Sequence, residues 1–305
     1  MKILVFTEKP FAHNAVKAIA NTVDASGNEL ELVEMGTRAD LLNAVKNAEG
    51  LIVRSDKIDA EVMDAAPNLK VIVRAGAGYD NIDLEAATKH GICVMNTPGQ
   101  NSNAVAELVF GMIVMMCRNQ YNGKSGSELK DKSLGIYAFG QVGRNVARIA
   151  KGFGMKISAL DKFVADEVME AEGVRPIHEV EALFAENDFV SLHIPATAET
   201  RGSVGYDLVM KMPQGGVLVN TARKEVIDEA GLMRALEERP DLRYVSDIKP
   251  DTAEEFEKKF GARVFFTPKK MGAQTAEANF NAGVAAAEQV IAYLKDGWNK
   301  YQVNK

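Results

Sequence analysis

The chain has 305 residues, room for about two domains, and its 47% hydrophobic and 26% charged content excludes a disordered or low-complexity protein. With 36 Lys+Arg against 42 Asp+Glu the net charge is −6, and no Lys/Arg-rich run is present, so a nucleic-acid partner is not expected. The two cysteines, Cys93 and Cys117, make neither a disulfide framework nor a metal-ligand pattern and read as buried free thiols of a reducing compartment. The opening Ile3-Leu4-Val5-Phe6 is too short for a signal peptide and reads as a buried first strand. Strands are predicted over 3–6, 30–33, 51–54, 71–74 and 92–95, then over 134–138, 157–160, 189–193, 217–220, 244–247 and 264–266. Helical patterns such as 60–66, 142–153 and 230–237 lie between them, which argues for βαβ units and parallel sheets with helices on both faces. Two longer helices, 102–118 and 273–295, are placed to connect two α/β lobes, which makes the first lobe discontinuous. The apolar stretch 104–117 contains Glu107 and is shorter than the ~20 residues that span a bilayer, so a soluble cytoplasmic protein without membrane contact is expected.

After the strand ending at 138 comes Ala138-Phe139-Gly140-Gln141-Val142-Gly143 and a helix. This is a G-x-G-x-x-G dinucleotide turn with Ala in the first place. Gly140 lets the backbone approach a pyrophosphate, Gly143 lets helix and strand pack closely, and the helix N-terminus favours negative charge. Ala138 must fit where Gly permits unusual backbone angles. The next strand ends in Asp161, which suits the adenosine ribose hydroxyls and repels a 2′-phosphate, so NAD is preferred over NADP. Lys162 beside it tempers that preference. A merely structural Gly-rich turn is the alternative.

A second small-residue turn, Arg74-Ala75-Gly76-Ala77-Gly78, exposes backbone N–H groups that can hold a carboxylate. An ordinary tight turn with Asp83 as the next helix N-cap reads the same residues more plainly. In Asn220-Thr221-Ala222-Arg223 an Arg sits just past a strand end, where ligands of open α/β sheets bind. Its guanidinium suits a carboxylate with an adjacent oxygen. A surface Arg is the alternative.

These segments resemble the D-2-hydroxyacid dehydrogenase family, and within it the D-3-phosphoglycerate dehydrogenases, over nearly the whole chain. The resemblance rests on Leu51-Ile52-Val53-Arg54-Ser55, the 74–83 turn, Val94-Met95-Asn96-Thr97-Pro98, the 101–109 stretch, the dinucleotide turn with Asp161, Ser191-Leu192-His193-Ile194-Pro195-Ala196-Thr197, Asn220-Thr221-Ala222-Arg223 and Thr267-Pro268. It implies two Rossmann-like parallel-sheet lobes joined by two long helices with the active site in the cleft. Residues 1–100 and 276–305 would form a substrate-binding domain and 101–275 an NAD-binding domain. The implied cofactor residues are Gly140, Gln141, Val142, Gly143, Asp161, Ile194, Pro195, Thr200, Thr221, Ala222, Asp247 and Gly272. The implied substrate residues are Arg54, Ser55, Lys57, Arg74, Ala75, Gly76, Ala77, Gly78 and Asn101, with Arg223 on the carboxylate and C2 oxygen. No metal is implied.

Three departures stand out. The family's Arg-Gly-Gly is Arg223-Lys224-Glu225. The catalytic Glu expected about five residues after Asp247 is replaced by Lys249-Pro250-Asp251-Thr252, which leaves Asp251, Glu254 and Glu255 as candidate substitutes. The catalytic His expected after Thr267-Pro268 is Lys269, followed by Lys270. Lys269 is therefore the predicted acid–base residue, as in a short subgroup of these enzymes. A lysine base needs burial and neighbouring cations to release its proton, and Arg223 and Lys270 are at hand. A carboxylate beside a lysine would oppose that release, so loss of the Glu and gain of the Lys read as one change. The alternative is that Lys269 faces solvent and Lys270 or a water relay acts.

The reaction implied is NAD-dependent oxidation of 3-phosphoglycerate, the first step of serine synthesis. Reduction of glyoxylate, hydroxypyruvate or another D-2-hydroxy acid is the first alternative, and a non-catalytic NAD-sensing protein the second. Arg54, Lys57 and Arg74 favour a phosphate, unless Lys57 merely faces solvent. No ~70–80-residue serine-binding domain fits after the last helix, so feedback inhibition by serine is expected to be missing. A homodimer is expected, its geometry left open because the 118–133 segment is short.

Overall fold

The computed structural model describes residues 1–304. Twelve strands are present among the described residues, nearly all of them short runs rich in Val, Ile or Leu. They are β1 (Lys2–Thr7), β2 (Glu29–Glu34), β3 (Gly50–Val53), β4 (Val71–Arg74), β5 (Cys93–Asn96), β6 (Ser133–Tyr137), β7 (Lys156–Leu160), β8 (Arg175–Pro176), β9 (Phe189–Leu192), β10 (Val217–Asn220), β11 (Arg243–Ser246) and β12 (Val264–Phe266). All pair in parallel. Central strands such as β3, β9 and β10 are buried along their whole length, as expected when helices cover both faces of a sheet.

The chain forms two compact units, one of Met1–Asn101 together with the segment from Gln274 onward, the other of Ser102–Ala273. The first unit orders its sheet β2-β1-β3-β4-β5. Its strand order reverses between β1 and β3, so residues just after Thr7 and Val53 stand at the topological switch point. The second unit orders its sheet β12-β11-β10-β9-β6-β7-β8, the dinucleotide-binding arrangement with one strand added at an edge. Its switch point lies between β6 and β9, just after Tyr137 and Leu192.

Each sheet separates two apolar layers. In the second unit the helix Ser102–Cys117 supplies Ala106, Val109, Ile113 and Met116 to one layer. It packs on the helix Gln141–Gly152, with Asn145 Nδ2 donating to Ser102 Oγ at 3.1 Å. In the first unit the helix Ala276–Asp296 supplies Ala282, Ala286, Ala287 and Val290, against Ala15, Ile19 and Val23 of the helix His13–Ala25. Both cysteines are free and buried. Burial pushes the Cys93 thiol up to about 11.

The structure adjusts the predicted elements in small, instructive ways. Strand β8 has only two residues and no apolar pattern, and it escaped prediction; two pairings with β7 define it. The last long helix starts at Ala276 rather than 273, because Thr275 caps it by accepting from Ala278 N at 3.0 Å. Strands predicted to include Arg54, Ala138, His193 and Asp247 stop one residue earlier, which leaves those four just past strand ends. Among the described residues, no helix is long and apolar enough to cross a membrane.

Candidate active site

In the first unit, Arg54 stands at the switch point. Its guanidinium donates to Pro10 O at 3.0 Å and to Asn279 Oδ1 at 2.5 Å, and it lies 5.1 Å over the Phe11 ring. Burial works against this charge, and the nearby Asp56 favours it. Asp56 nevertheless makes no ion pair with it: Oδ1 accepts from Glu8 N at 2.7 Å and Oδ2 from Arg54 N at 3.1 Å. The Asp56 carboxylate thus ties the loops after β1 and β3 together. Asn81 Nδ2 donates to Asp56 O at 2.6 Å, and Arg74 Nε to Arg54 O at 2.9 Å. A half-buried guanidinium held mainly by neutral acceptors suits an incoming anion.

The other substrate candidates divide. Ser55 is exposed. Lys57 is 80% exposed and pairs with Asp59 at 3.3 Å, as expected for a lysine at a solvated helix start. In the 74–78 turn, Ala75 N donates to Val53 O and Gly76 N to Arg74 O, so these two groups are used within the fold. A Cβ on Gly76 would fall 1.7 Å from the Arg74 guanidinium, so only Gly lets Arg74 lie there. Ala77 and Gly78 are more accessible, and their N–H groups have no partner among the described residues. Asn101 is the last residue of the first unit before the helix Ser102–Cys117.

In the second unit, the dinucleotide turn is built as its glycine pattern predicts. Gly140 caps the helix Gln141–Gly152, and a Cβ there would meet nothing within 4 Å, so the surface in front of it is open. A Cβ on Gly143 would lie 2.3 Å from Ala138 O, so helix and strand could not approach with any other residue. Ala138 adopts φ +84°, a conformation that favours glycine. Gln141 is exposed and Val142 half-buried at the helix start. Asp161 accepts from Phe139 N at 2.7 Å, Phe163 N at 2.8 Å and Val164 N at 3.2 Å, so it binds its own loop to the Gly turn.

Across the switch point, Ile194 is buried and Pro195 exposed. Thr200 Oγ1 donates to Pro195 O at 2.5 Å and accepts from Thr197 N at 2.8 Å, closing that loop. His193 bonds Ser191 Oγ at 2.9 Å, and desolvation pushes its imidazole down to about 3, so it stays neutral. Thr221 Oγ1 lies 3.5 Å from His193 Nδ1.

Beyond the ends of β10 and β12 two cations converge. Arg223 donates to Ala222 O at 2.9 Å and Lys270 Nζ to the same oxygen at 2.8 Å. Fully buried Asn220 shapes this turn, accepting from Ala222 N and donating to Arg223 O, both at 2.9 Å. Asp247, also fully buried, accepts from Gly272 N at 2.8 Å through Oδ2, while its Oδ1 has no partner among the described residues. Burial pushes its carboxyl above the usual range, and Lys270, two backbone N–H groups and Arg223 pull it back. Thr267 Oγ1 donates to both Asp247 O and Lys269 O, fixing the path of the chain.

Lys269 and Lys270 are both exposed, so the burial expected around the lysine is absent at either position; what sets Lys270 apart is that its Nζ reaches the Arg223 turn. Of the candidate substitutes for the missing Glu, Asp251 pairs with Lys224 at 2.6 Å and Glu255 with Lys259 at 3.0 Å, while Glu254 is exposed. Asp56, Asn81, Asn220 and Asn279 were not foreseen. Asp56 and Asn220 had a local signal, each being a polar residue beside a strand end and next to a candidate Arg or Thr. Asn279 had none, since it comes from a distant helix.

Residues 3–304 match the model of the D-isomer specific 2-hydroxyacid dehydrogenase catalytic domain. The chain belongs to this family. A 3-phosphoglycerate dehydrogenase of Entamoeba histolytica, solved with NAD+, superposes with a TM-score of 0.91 at 49% identity, covering 100% of this chain and 99% of that one. The D-3-phosphoglycerate dehydrogenase of Methanocaldococcus jannaschii is 35% identical over 97% of this chain and 58% of its own length. The glyoxylate reductase of Thermococcus litoralis is 32% identical over 100% of this chain and 98% of its own. The chain thus spans little more than half of the first curated family relatives, which carry 58% coverage.

Proposed function

We propose that the protein is an NAD-dependent dehydrogenase that oxidises D-3-phosphoglycerate to 3-phosphohydroxypyruvate, in serine synthesis. The observation that carries this reading is the convergence of Arg223 and Lys270 on Ala222 O beside buried Asp247. Oxidation at C2 needs a cation on the reacting oxygen and a base for its proton, and this turn offers both. Family membership and the NAD+-bound neighbour support the cofactor.

The chain's own atoms fit that cofactor. The orphaned, buried Asp247 Oδ1 suits an amide donor, and the open face of Gly140 suits a pyrophosphate. Gln141, Val142 and Gly143 would follow the pyrophosphate, Asp161 the ribose, and Ile194, Pro195, Thr200, Thr221, Ala222 and Gly272 the two ring systems. NAD, when bound, supplies the hydride acceptor. Arg223 holds the substrate carboxylate and C2 oxygen. Lys270 takes the hydroxyl proton in oxidation and returns it in reduction; Lys269 is the neighbouring candidate for this role. Arg54 and Arg74 bind the phosphate, and the N–H groups of Ala77 and Gly78 the carboxylate, with Asn101 close in sequence to the start of the second unit.

Reduction of glyoxylate or hydroxypyruvate is the second reading, favoured by the Thermococcus relative and by the solvated Lys57. Following NADH absorbance with 3-phosphohydroxypyruvate, hydroxypyruvate and glyoxylate decides among them. The phosphorylated substrate should have the highest kcat/KM. No turnover of any substrate, with tight NADH binding, would instead mark a non-catalytic NAD sensor. A cytoplasmic homodimer is part of the proposal, and light scattering tests the dimer.

A further inference from the structure

The loops that follow β7 and β9 are joined by an ion pair that the proposed reaction does not use. Lys162 Nζ lies 3.2 Å from Glu199 Oε2, with both side chains exposed. Lys162 directly follows Asp161 at the end of β7. The Asp161 carboxylate is occupied by the N–H groups of Phe139, Phe163 and Val164, and Lys162 pairs with Glu199 across the switch point. Glu199 is presented by a closed turn, because Thr200 Oγ1 bridges Pro195 O and Thr197 N. Its carboxylate is therefore delivered to Lys162 by a defined loop rather than by a free chain end.

We propose that Glu199 sets the preference for NAD over its 2′-phosphorylated form by engaging Lys162. The inference rests on the dinucleotide reading above and adds to it a residue outside the Gly turn. A 2′-phosphate on a ribose held at Asp161 adds negative charge beside that carboxylate and needs a cation to offset it. Lys162 is the cation of that loop, and a lysine ammonium binds phosphate well as a point charge. While Lys162 is paired with Glu199, a phosphate must displace one carboxylate and approach another. Asp161 then acts by direct repulsion and Glu199 by occupying the residue that would relieve it. An exposed ion pair is weak, so the preference it adds is moderate and can be reversed by single substitutions.

The test measures kcat/KM for NAD+ and NADP+ in wild type, Glu199→Gln, Lys162→Ala and the double variant. Glu199→Gln should raise kcat/KM for NADP+ by about three- to fivefold, the upper range of one surface charge contact, while the value for NAD+ stays unchanged. In the Lys162→Ala background the same substitution should give no gain. An unchanged NADP+ value in Glu199→Gln would overturn the proposal. So would an equal gain with and without Lys162, which would mean that Glu199 acts by its own repulsion of the phosphate. Calorimetric titration with NADH and NADPH reads the same ratio without turnover. Binding of NADH by an inactive wild type would thus count against the proposed reaction alone, whereas a wild type that binds neither dinucleotide would overturn both.

Discussion

The two units place cations at equivalent positions, just past the ends of parallel strands, yet build them differently. Arg54 is fastened by neutral acceptors, Pro10 O and Asn279 Oδ1, and its loop is locked by buried Asp56. Arg223 and Lys270 instead share one carbonyl, with a buried carboxylate close enough to feel both. A fastened guanidinium is suited to holding an anion in place. Two cations on one carbonyl oxygen are, in the proposed reading, placed to exchange it for a substrate oxygen, with the lysine as the group that takes the proton. In the proposed reading the first arrangement is a holder and the second a reactive pair.

The sharpest way to break this comparison is to remove the lysine of the pair. Lys270→Ala should cut kcat by about 10²–10⁴ with NADH affinity nearly unchanged, whereas Lys269→Ala should leave kcat within a few fold. Steady-state kinetics of the two variants reads this directly, and the reverse pattern would return the role to Lys269. Oxidation should also speed up with rising pH, since the base acts deprotonated.

The next largest effect is on the cofactor side. Asp161→Ala should weaken NADH binding by about 1.5–3 kcal/mol, through lost bonds to the ribose hydroxyls, and should relax discrimination against NADPH. Because Asp161 also holds three backbone N–H groups, Asp161→Asn is the needed companion. Unchanged NADH affinity in the Ala variant would remove Asp161 as the ribose ligand.

Arg54→Ala should raise KM for 3-phosphoglycerate about tenfold or more, while kinetics with unphosphorylated glycerate hardly change. Equal losses on both substrates would show that the holder does not recognise a phosphate.

A smaller effect concerns stability rather than turnover. His193 is held neutral down to about pH 3, but in the unfolded chain an imidazole protonates near 6.5. Between these values unfolding takes up a proton, so stability falls as pH drops through that window, by at most about 1.4 kcal/mol per unit. His193→Gln should flatten this slope in urea melts at pH 4 to 6.5, and an unaltered slope would mean that another group carries it.

The smallest effect is at the Gly turn. Ala138 sits at φ +84°, which costs an L-residue roughly 1 kcal/mol. Ala138→Gly should leave stability unchanged or raise it by up to about that amount, part of the gain being offset by glycine's greater freedom when unfolded. A clear loss in thermal unfolding would show that the Ala methyl contributes packing there.

Much of this molecule was legible in its residues. Period and composition located eleven strands, because each is a short apolar or alternating run with turn residues at its ends, and the parallel α/β class followed from their alternation with helices. The Gly140 and Gly143 pattern predicted a close helix–strand approach that the Cβ positions bear out. Strand β8 was not legible, since two residues without apolar pattern become a strand only by pairing with β7. The choice between the adjacent lysines was not legible either. Both stand exposed in the same loop with the same side chain, and only the course of the chain from Thr267 brings the Lys270 ammonium to Ala222 O. Nor could spacing show that Asn279, 225 residues along the chain from Arg54, steadies its guanidinium. Local sequence determined which segments are strands, helices and glycine-rich turns, because propensity and periodicity act over a few residues. Which charges share an acceptor was decided only by tertiary structure, because hydrogen bonds and burial depend on distances between segments that lie far apart in the chain.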